Sequence, residues 1–444
     1  YFLENDYLTI NFMKKYLCFL PKPLIFLASM LCISLEAATV IHAGTLLDGT
    51  GSEPLKEMSI VIENKLISRV ETGYIEPQPD DVYLDLTGYF VLPGLIDMHV
   101  HLGSEYSSKS YEESISLSPP DYAIQAVANA QKTLLAGFTT VRNLGDTGNV
   151  TVSLRNAINK EIVPGPRIFS SGKTISSSGG HGDPTNSLRE NLSSDPGPAR
   201  GVINSPSDSF KAVRYRYKEN ADLIKITATG GVLSNAKNGQ NPQMTIEEIS
   251  AVVLAARDYG FKVAAHAHGA EGIKRAVMAG VDSIEHGTLM DAEGMQMMRE
   301  KGTYYVPTLL AGAWVAEKAE IEGFFPELVR PKALEIGPQL KTTFSKAYQA
   351  GVKIAFGTDT GVSSHGRNAE EFSEMVDAGM PELQAILSAT KEASILLNEE
   401  KNLGSISPGK YADIIAVSES PLENIAILET VDFVMKDGNI YKSP

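Results

Sequence analysis

Two rhythms of apolar and polar residues divide this chain into its ends and its middle. Residues 39–92 fall into short runs, "TVIHAGTLLDGTG", "EMSIVIENKLISRVE" and "DVYLDLTGYFVL". The run Ser59-Ile60-Val61-Ile62, with the Asn64-Lys65 turn after it, predicts a small β-sheet. Residues 403–442 have the same character, with hairpin signals at Pro408-Gly409 and Asp437-Gly438. β-rich segments on both sides of an α/β middle predict one discontinuous domain, 39–92 plus 400–444, whose halves pair in space.

The middle alternates strand and helix. Strands are predicted at 91–100, 139–144, 167–172, 222–228, 262–268, 281–286, 303–310 and 352–358. Helical stretches such as "YAIQAVANAQKTLLAG", "TIEEISAVVLAARDYG" and "AEGIKRAVMAG" lie between them, and Gly137, Gly260 and Gly280 fall where helix C-caps belong. Eight strands in βα alternation predict an α/β fold, a (β/α)8 TIM barrel over 93–399. The Pro/Gly/Ser-rich segment 176–207 after the third strand is long enough to carry function. Segment 311–350 holds the sole tryptophan, Trp314, and reads either as a lid or as packed helix. Its Glu317, Glu320 and Glu322 either favour a basic substrate or line a solvated helix face.

Composition narrows the chemistry. The chain has 444 residues, 43% of them hydrophobic, and a formal net charge of −15, which argues against a nucleic-acid partner. Residues 1–12 precede Met13 and read as upstream sequence. Met13-Lys14-Lys15 opens a basic stretch, and "PLIFLASMLCISL" (23–35) is too short an apolar run to span a membrane. That layout predicts a secretory signal peptide over 13–38, with Ala37 and Ala38 near the cleavage point, a secreted or periplasmic protein, and no stable membrane anchor. A buried N-terminal helix is the other reading. Both cysteines, Cys18 and Cys32, lie in this segment, so a metal in the processed protein must be held by nitrogen and oxygen donors.

The run "VLPGLIDMHVHL" (91–102) then gains weight. In a strand, residues i and i+2 share a face, so His99-Val100-His101 offers two imidazoles side by side. Function in such a barrel sits at the C-terminal strand ends. Those ends read His99 and His101 on strand one, Lys225 on strand four, His266 and His268 on strand five, His286 on strand six, and Asp359 on strand eight. Five of the eight histidines fall at these few positions. Imidazole and carboxylate donors without thiolates suit Zn²⁺, Mn²⁺, Co²⁺ or Fe²⁺. Plainer readings stand beside this one. Lys225 in "LIKITATGG" also reads as a buried ion-pair partner, Asp359 in "AFGTDTG" as a turn residue, and His42 as structural. Strand alternation does not choose between His266 and His268, which point the same way.

The chain resembles the amidohydrolase superfamily through "PGLIDMHVHL", "AGFTTVRN", "GPRIFSSG", "SSGGHGDP", "LIKITATGGV", "KVAAHAHGAEGIKRAVMAGVDSIEHGT" and "FGTDTG". More narrowly it resembles the branch of metal-dependent Xaa-Pro dipeptidases and Zn-dependent Lys/Arg carboxypeptidases, some relatives of which cleave N-acyl amino acids. The resemblance implies a (β/α)8 barrel with a flanking β-sandwich and a homo-oligomer. It also implies two divalent metal ions, zinc first. His99, His101 and Asp359 would hold the more buried ion, His266 and His286 the more exposed one, and Lys225 would bridge both as an N-carboxylated lysine. A strand-buried amine has a lowered pKa and stays neutral enough to react with CO₂.

The implied reaction is hydrolysis of a dipeptide or N-acyl amino acid by a metal-bridging hydroxide, with Asp359 passing the proton to the leaving amine. His268 and His181, the latter in "GGHGDP", are candidates for binding the substrate carbonyl or carboxylate. Arg142, Tyr304 and Tyr305 are candidates for binding an anionic carboxylate. His181 reads equally as a loop-ordering residue and Arg142 as an ion-pair partner. A mononuclear deaminase or cyclic amidase of imidazolonepropionase type is the first alternative, and a strand-four lysine argues against it. A non-catalytic binding protein on the same barrel is the second, although every ligand position is filled.

Overall fold

The computed structural model describes residues 37–234 and 239–444; the expected signal peptide, 13–38, lies almost wholly outside the described residues. Two parallel ladders make most of a ring. Leu95–Val100, Phe138–Asn143 and Arg167–Ser170 form one. Ile224–Thr227, Val263–Gly269, Ser283–Leu289 and Tyr304–Val306 form the other. Short backbone bonds close both gaps. On one side Ile175 N donates to Lys225 O (2.8 Å) and Thr227 N to Ile175 O (3.0 Å). On the other, Tyr305 N donates to Lys353 O (2.8 Å), Met98 N to Phe356 O (2.9 Å) and His101 N to Thr360 O (2.7 Å). Where the sequence predicts a full eighth strand, the segment pairs only through bridges at Ile354 and Thr360. The left-handed backbone of Asp359 (φ 57°) interrupts the extended run there.

Helices alternate with these strands, and their boundaries follow local chemistry. Pro119–Leu135 opens on a Ser118/Asp121 capping box and Ile246–Asp258 on a Thr245/Glu248 box, each satisfying orphan N–H groups. Gly137, Gly260 and Gly280 end their helices at φ 94°, 71° and 91°, conformations in which a Cβ is strained. Ala126, Ala130 and Leu134, spaced four apart, put one stripe of Pro119–Leu135 fully into the core. Against the helix Glu370–Asp377, Phe356 packs on Phe138 (centroids 5.5 Å) and Phe372 (4.3 Å). Phe356→Ala leaves a cavity among rings that cannot collapse onto it, and costs about 3–5 kcal/mol. Chemical denaturation should show a lower midpoint at unchanged slope.

Residues 39–93 and 414–442 meet in one mixed sheet. Its order is Asn439–Lys442, Phe433–Lys436, Ile414–Val417, Val82–Pro93, Thr39–Leu46, Leu55–Glu63 and Leu66–Thr72. The two halves join where Ile414 pairs with Pro93 and Ala416 with Val91. The hydrogen bonding runs through a single seven-stranded sheet, with Ile41, Ile60, Leu86, Ile414 and Phe433 buried together against it. Gly94 links this sheet directly to the strand bearing His99 and His101. Arg167 clamps the third barrel strand to the sheet through Asp413 (2.6 Å) and Asp437 (2.5 Å). His42 lies in this sheet, its Nε2 donating to Ile75 O (2.9 Å), consistent with a structural role. Segment 176–207 is partly ordered by a ladder of Ser176–Ser177 with Val202–Ile203. Segment 311–350 is a pair of packed helices, Leu309–Ala319 and Arg330–Gln349. Among the described residues no helix is long and apolar enough to cross a membrane.

Candidate active site

The barrel mouth gathers the strand-end residues into one cluster. His99 donates from Nδ1 to Glu285 Oε2 (3.0 Å), which turns its Nε2 lone pair into the cavity. That Nε2 lies 3.3 Å from Lys225 Nζ and 3.4 Å from Asp359 Oδ1. His101 Nε2 reaches the same Asp359 oxygen at 3.2 Å. One donor atom from each of His99, His286 and Asp359 lies within 4.8 Å of the others, room for a metal ion.

The remaining histidines surround this centre. His286 Nδ1 bonds Thr308 Oγ1 and His268 Nδ1 bonds Thr288 Oγ1, both at 2.8 Å, leaving their Nε2 atoms available. His266 is held the other way round: its Nε2 donates to Gly230 O (3.0 Å), leaving Nδ1 as the lone-pair nitrogen. The two imidazoles of strand five, equivalent by alternation, therefore present different nitrogens. The His266 ring packs against His181 (4.4 Å), His268 (4.6 Å) and His286 (4.7 Å). His286, Asp359 and Thr308 all have left-handed backbones, φ 69°, 57° and 54°. Each such residue costs about 1–3 kcal/mol, strain that the surrounding barrel must hold in place.

Electrostatics prepare this set for a cation. Burial pushes the imidazoles down, His99 and His181 to about 4 and His268 to about 3, with His266 and His286 well below the ordinary range. All five are neutral at pH 7, with lone pairs free. Burial also brings the Lys225 amine down to about 8, against the opposing pull of Glu285 and Asp359. Burial alone would raise Asp359, but the His99 and His101 imidazoles beside it bring it down to about 2. Neutral imidazoles, one ionised carboxylate and a readily deprotonated amine, with no thiol, fit borderline divalent metals.

Other candidates lie elsewhere. Arg142 is buried beneath the mouth, donating to Met98 O (2.6 Å), Ser283 Oγ (3.1 Å) and Glu285 Oε1 (2.8 Å). It steadies the carboxylate that orients His99 and does not line the cavity. Tyr304 donates its hydroxyl to Glu392 (2.9 Å) and Tyr305 to His286 O (2.8 Å), and neither lines the cavity. His181 does line it, and its buried Nδ1 has no hydrogen-bond partner among the described residues. Its ring lies flat against Gly231, where a Cβ would meet Cε1 at 2.3 Å.

Two acidic residues escaped the sequence reading. Asp97, buried, accepts from His99 N (3.0 Å), Thr358 N (3.1 Å), Thr358 Oγ1 (2.7 Å) and Asn368 Nδ2 (2.8 Å), tying the first strand to the eighth segment. Its signal is the aspartate two residues before His99, on the same strand face. Glu285, immediately before His286, is the other; burial would raise it, but Arg142 and His99 bring it down to about 2.

The amidohydrolase family profile matches residues 90–442. The chain belongs to the amidohydrolase family and is a hydrolase acting on C–N bonds. It is similar to a Xaa-Pro dipeptidase whose crystal structure holds methionine in the active site, at 56% identity over 92% of this chain and 100% of that one, TM-score 0.90. It is also similar to a prolidase solved with N-methylphosphonate-L-proline, at 31% identity over 92% and 100% of the chains, TM-score 0.84. Aspergillus niger ochratoxinase is 32% identical over 436 residues, 91% of this chain and 87% of that protein.

Proposed function

We propose that this protein is a binuclear metal-dependent hydrolase that cleaves the amide bond of dipeptides or N-acyl amino acids. The observation that carries this reading is the convergence of His99, His101, Lys225, His266, His286 and Asp359 on one cavity of about 290 Å³ at the barrel mouth. His99, His101 and Asp359 would hold one ion, His266 Nδ1 and His286 Nε2 the other, and Lys225 would bridge them. Two divalent ions, zinc or else manganese, cobalt or iron, would supply a nucleophilic hydroxide at neutral pH and polarise the scissile carbonyl. The similarity to a dipeptidase, a prolidase and an ochratoxinase supports an amide substrate bearing a free carboxylate.

The protein's own groups divide the work. The Lys225 amine, neutral in part because it is buried, attacks CO₂: a new N–C bond forms, one C=O pair moves to oxygen, and the nitrogen proton leaves to solvent. The resulting carbamate would offer two anionic oxygens as metal donors. Asp359, ionised and facing His99 and His101, accepts the proton of the attacking water and delivers it to the leaving amine. His181 and His268, whose rings lie against His266 in the cavity lining, hold the substrate carbonyl or carboxylate. Residues 13–38 would direct export, which the N-terminal residue of protein recovered from outside the host cytoplasm tests. The activity is tested by a library of dipeptides and N-acyl amino acids at defined Zn²⁺ and Mn²⁺. Release of free amino acid that stops on chelation is expected; no release from any member of the metal-loaded protein contradicts the reading.

A further inference from the structure

One wall of the cavity is chemically unlike the rest. Besides the histidines, the cavity is lined by Val232, Val315, Ile336, Leu340 and Val362, carried by the loop after strand four, the two helices Leu309–Ala319 and Arg330–Gln349, and the turn after the eighth segment. Behind this wall lies a second apolar layer. Phe325 packs against Phe324 (5.0 Å), Tyr106 (5.6 Å) and Trp314 (6.4 Å), in the same cluster as Val232, Val315 and Ile336. The residues named in both layers are all apolar or aromatic.

Charge around the wall points the same way. Asp359 is the one acidic residue lining the cavity among the described residues, and it is engaged by His99 and His101. Glu317, which the sequence offered as a partner for a basic substrate, pairs with Lys318 (2.8 Å) and is 68% exposed on the outside of its helix. A cation lies close to the wall. Lys332 Nζ donates to Gly231 O (3.1 Å) and Ser234 O (2.7 Å), on either side of the wall residues Val232 and Leu233. A lysine or arginine side chain on this wall would be buried without a counter-ion and beside a like charge, the most costly arrangement available.

We infer that the site selects an open-chain or aromatic apolar side chain, of leucine, methionine or phenylalanine type, on the amino acid released from the amide, and rejects basic ones. The inference rests on the amide-hydrolase reading and adds its substrate class. A larger apolar side chain covers more of the wall than a proline ring does, and the gain scales with the area removed from water.

The experiment is kcat/KM of the zinc-loaded full chain on N-acetyl-Leu, -Met, -Phe, -Pro, -Lys and -Arg, in which only the released residue carries a side chain. Leucine, methionine or phenylalanine should lead proline, and should exceed lysine and arginine on the order of 10²-fold. Ile336→Asp, which puts a carboxylate on the wall, should narrow that ratio by at least about tenfold at unchanged metal content. Should that variant fold poorly, Ile336→Ala should lower turnover of the apolar members by a larger factor than turnover of the lysine compound. Turnover led by lysine, arginine or proline overturns the inference alone. No turnover of any member by protein carrying its full metal overturns the hydrolase reading and the inference with it.

Discussion

Replacing Lys225 with alanine is expected to lower bound metal below two ions per chain and kcat/KM on the order of 10³-fold, the loss of several kcal/mol of transition-state stabilisation. Lys225 lies on Ile224–Thr227, buried, its Nζ 3.3 Å from His99 Nε2 and amid the charges of Glu285 and Asp359. Were it only a counter-ion for those acids, its removal would lower stability and leave the metal in place. Metal content therefore separates the two roles, and circular dichroism of the same sample shows whether the barrel survives. Lys225→Met, which keeps the length of the side chain but cannot form a carbamate, should lose metal as alanine does. A variant with two ions and full turnover contradicts the bridging role.

Asp359→Asn should reduce kcat by about 10²–10⁴-fold with a much smaller change in KM, as expected for a group that moves a proton in the transition state. Asparagine has the shape of aspartate and tolerates the left-handed backbone found there, φ 57°. The Asp359 N to His99 O bond (2.7 Å) also survives the change. The fold is thus retained, and steady-state kinetics with a metal assay isolate the loss of the carboxylate. Turnover within tenfold of the parent chain excludes Asp359 as the proton carrier.

Much of this arrangement was legible because the two periodicities are strong. Period-two alternation put His99 and His101 on one face, and the βα alternation located the other strand ends, so the cluster could be assembled from residues hundreds of positions apart. Depth was not legible. Arg142 and Tyr305 belong to barrel strands, but one ends in an ion pair with Glu285 and the other on a backbone carbonyl. Strand alternation says which face a side chain takes and nothing of how far below the mouth it lies. Asp97 and Glu285 were hidden for a related reason: their role is to hold other groups, and partners such as Thr358 and Arg142 are distant in sequence. The eighth segment has apolar β character at 352–358, yet its turn at Asp359 is imposed by the closing ring. The apolar wall is the hardest case, since its residues come from separate helices and loops and share no motif.

The central claim is that the barrel-mouth cluster is a two-metal amide-hydrolysing centre. Metal per chain by inductively coupled plasma mass spectrometry, measured on protein purified without chelator and paired with its rate of N-acetyl-Leu hydrolysis, tests it most directly. Two divalent ions per chain, and a rate that falls on stripping and returns when metal and bicarbonate are restored, is the expected result. A metal-stripped chain that hydrolyses the substrate at the full rate contradicts it.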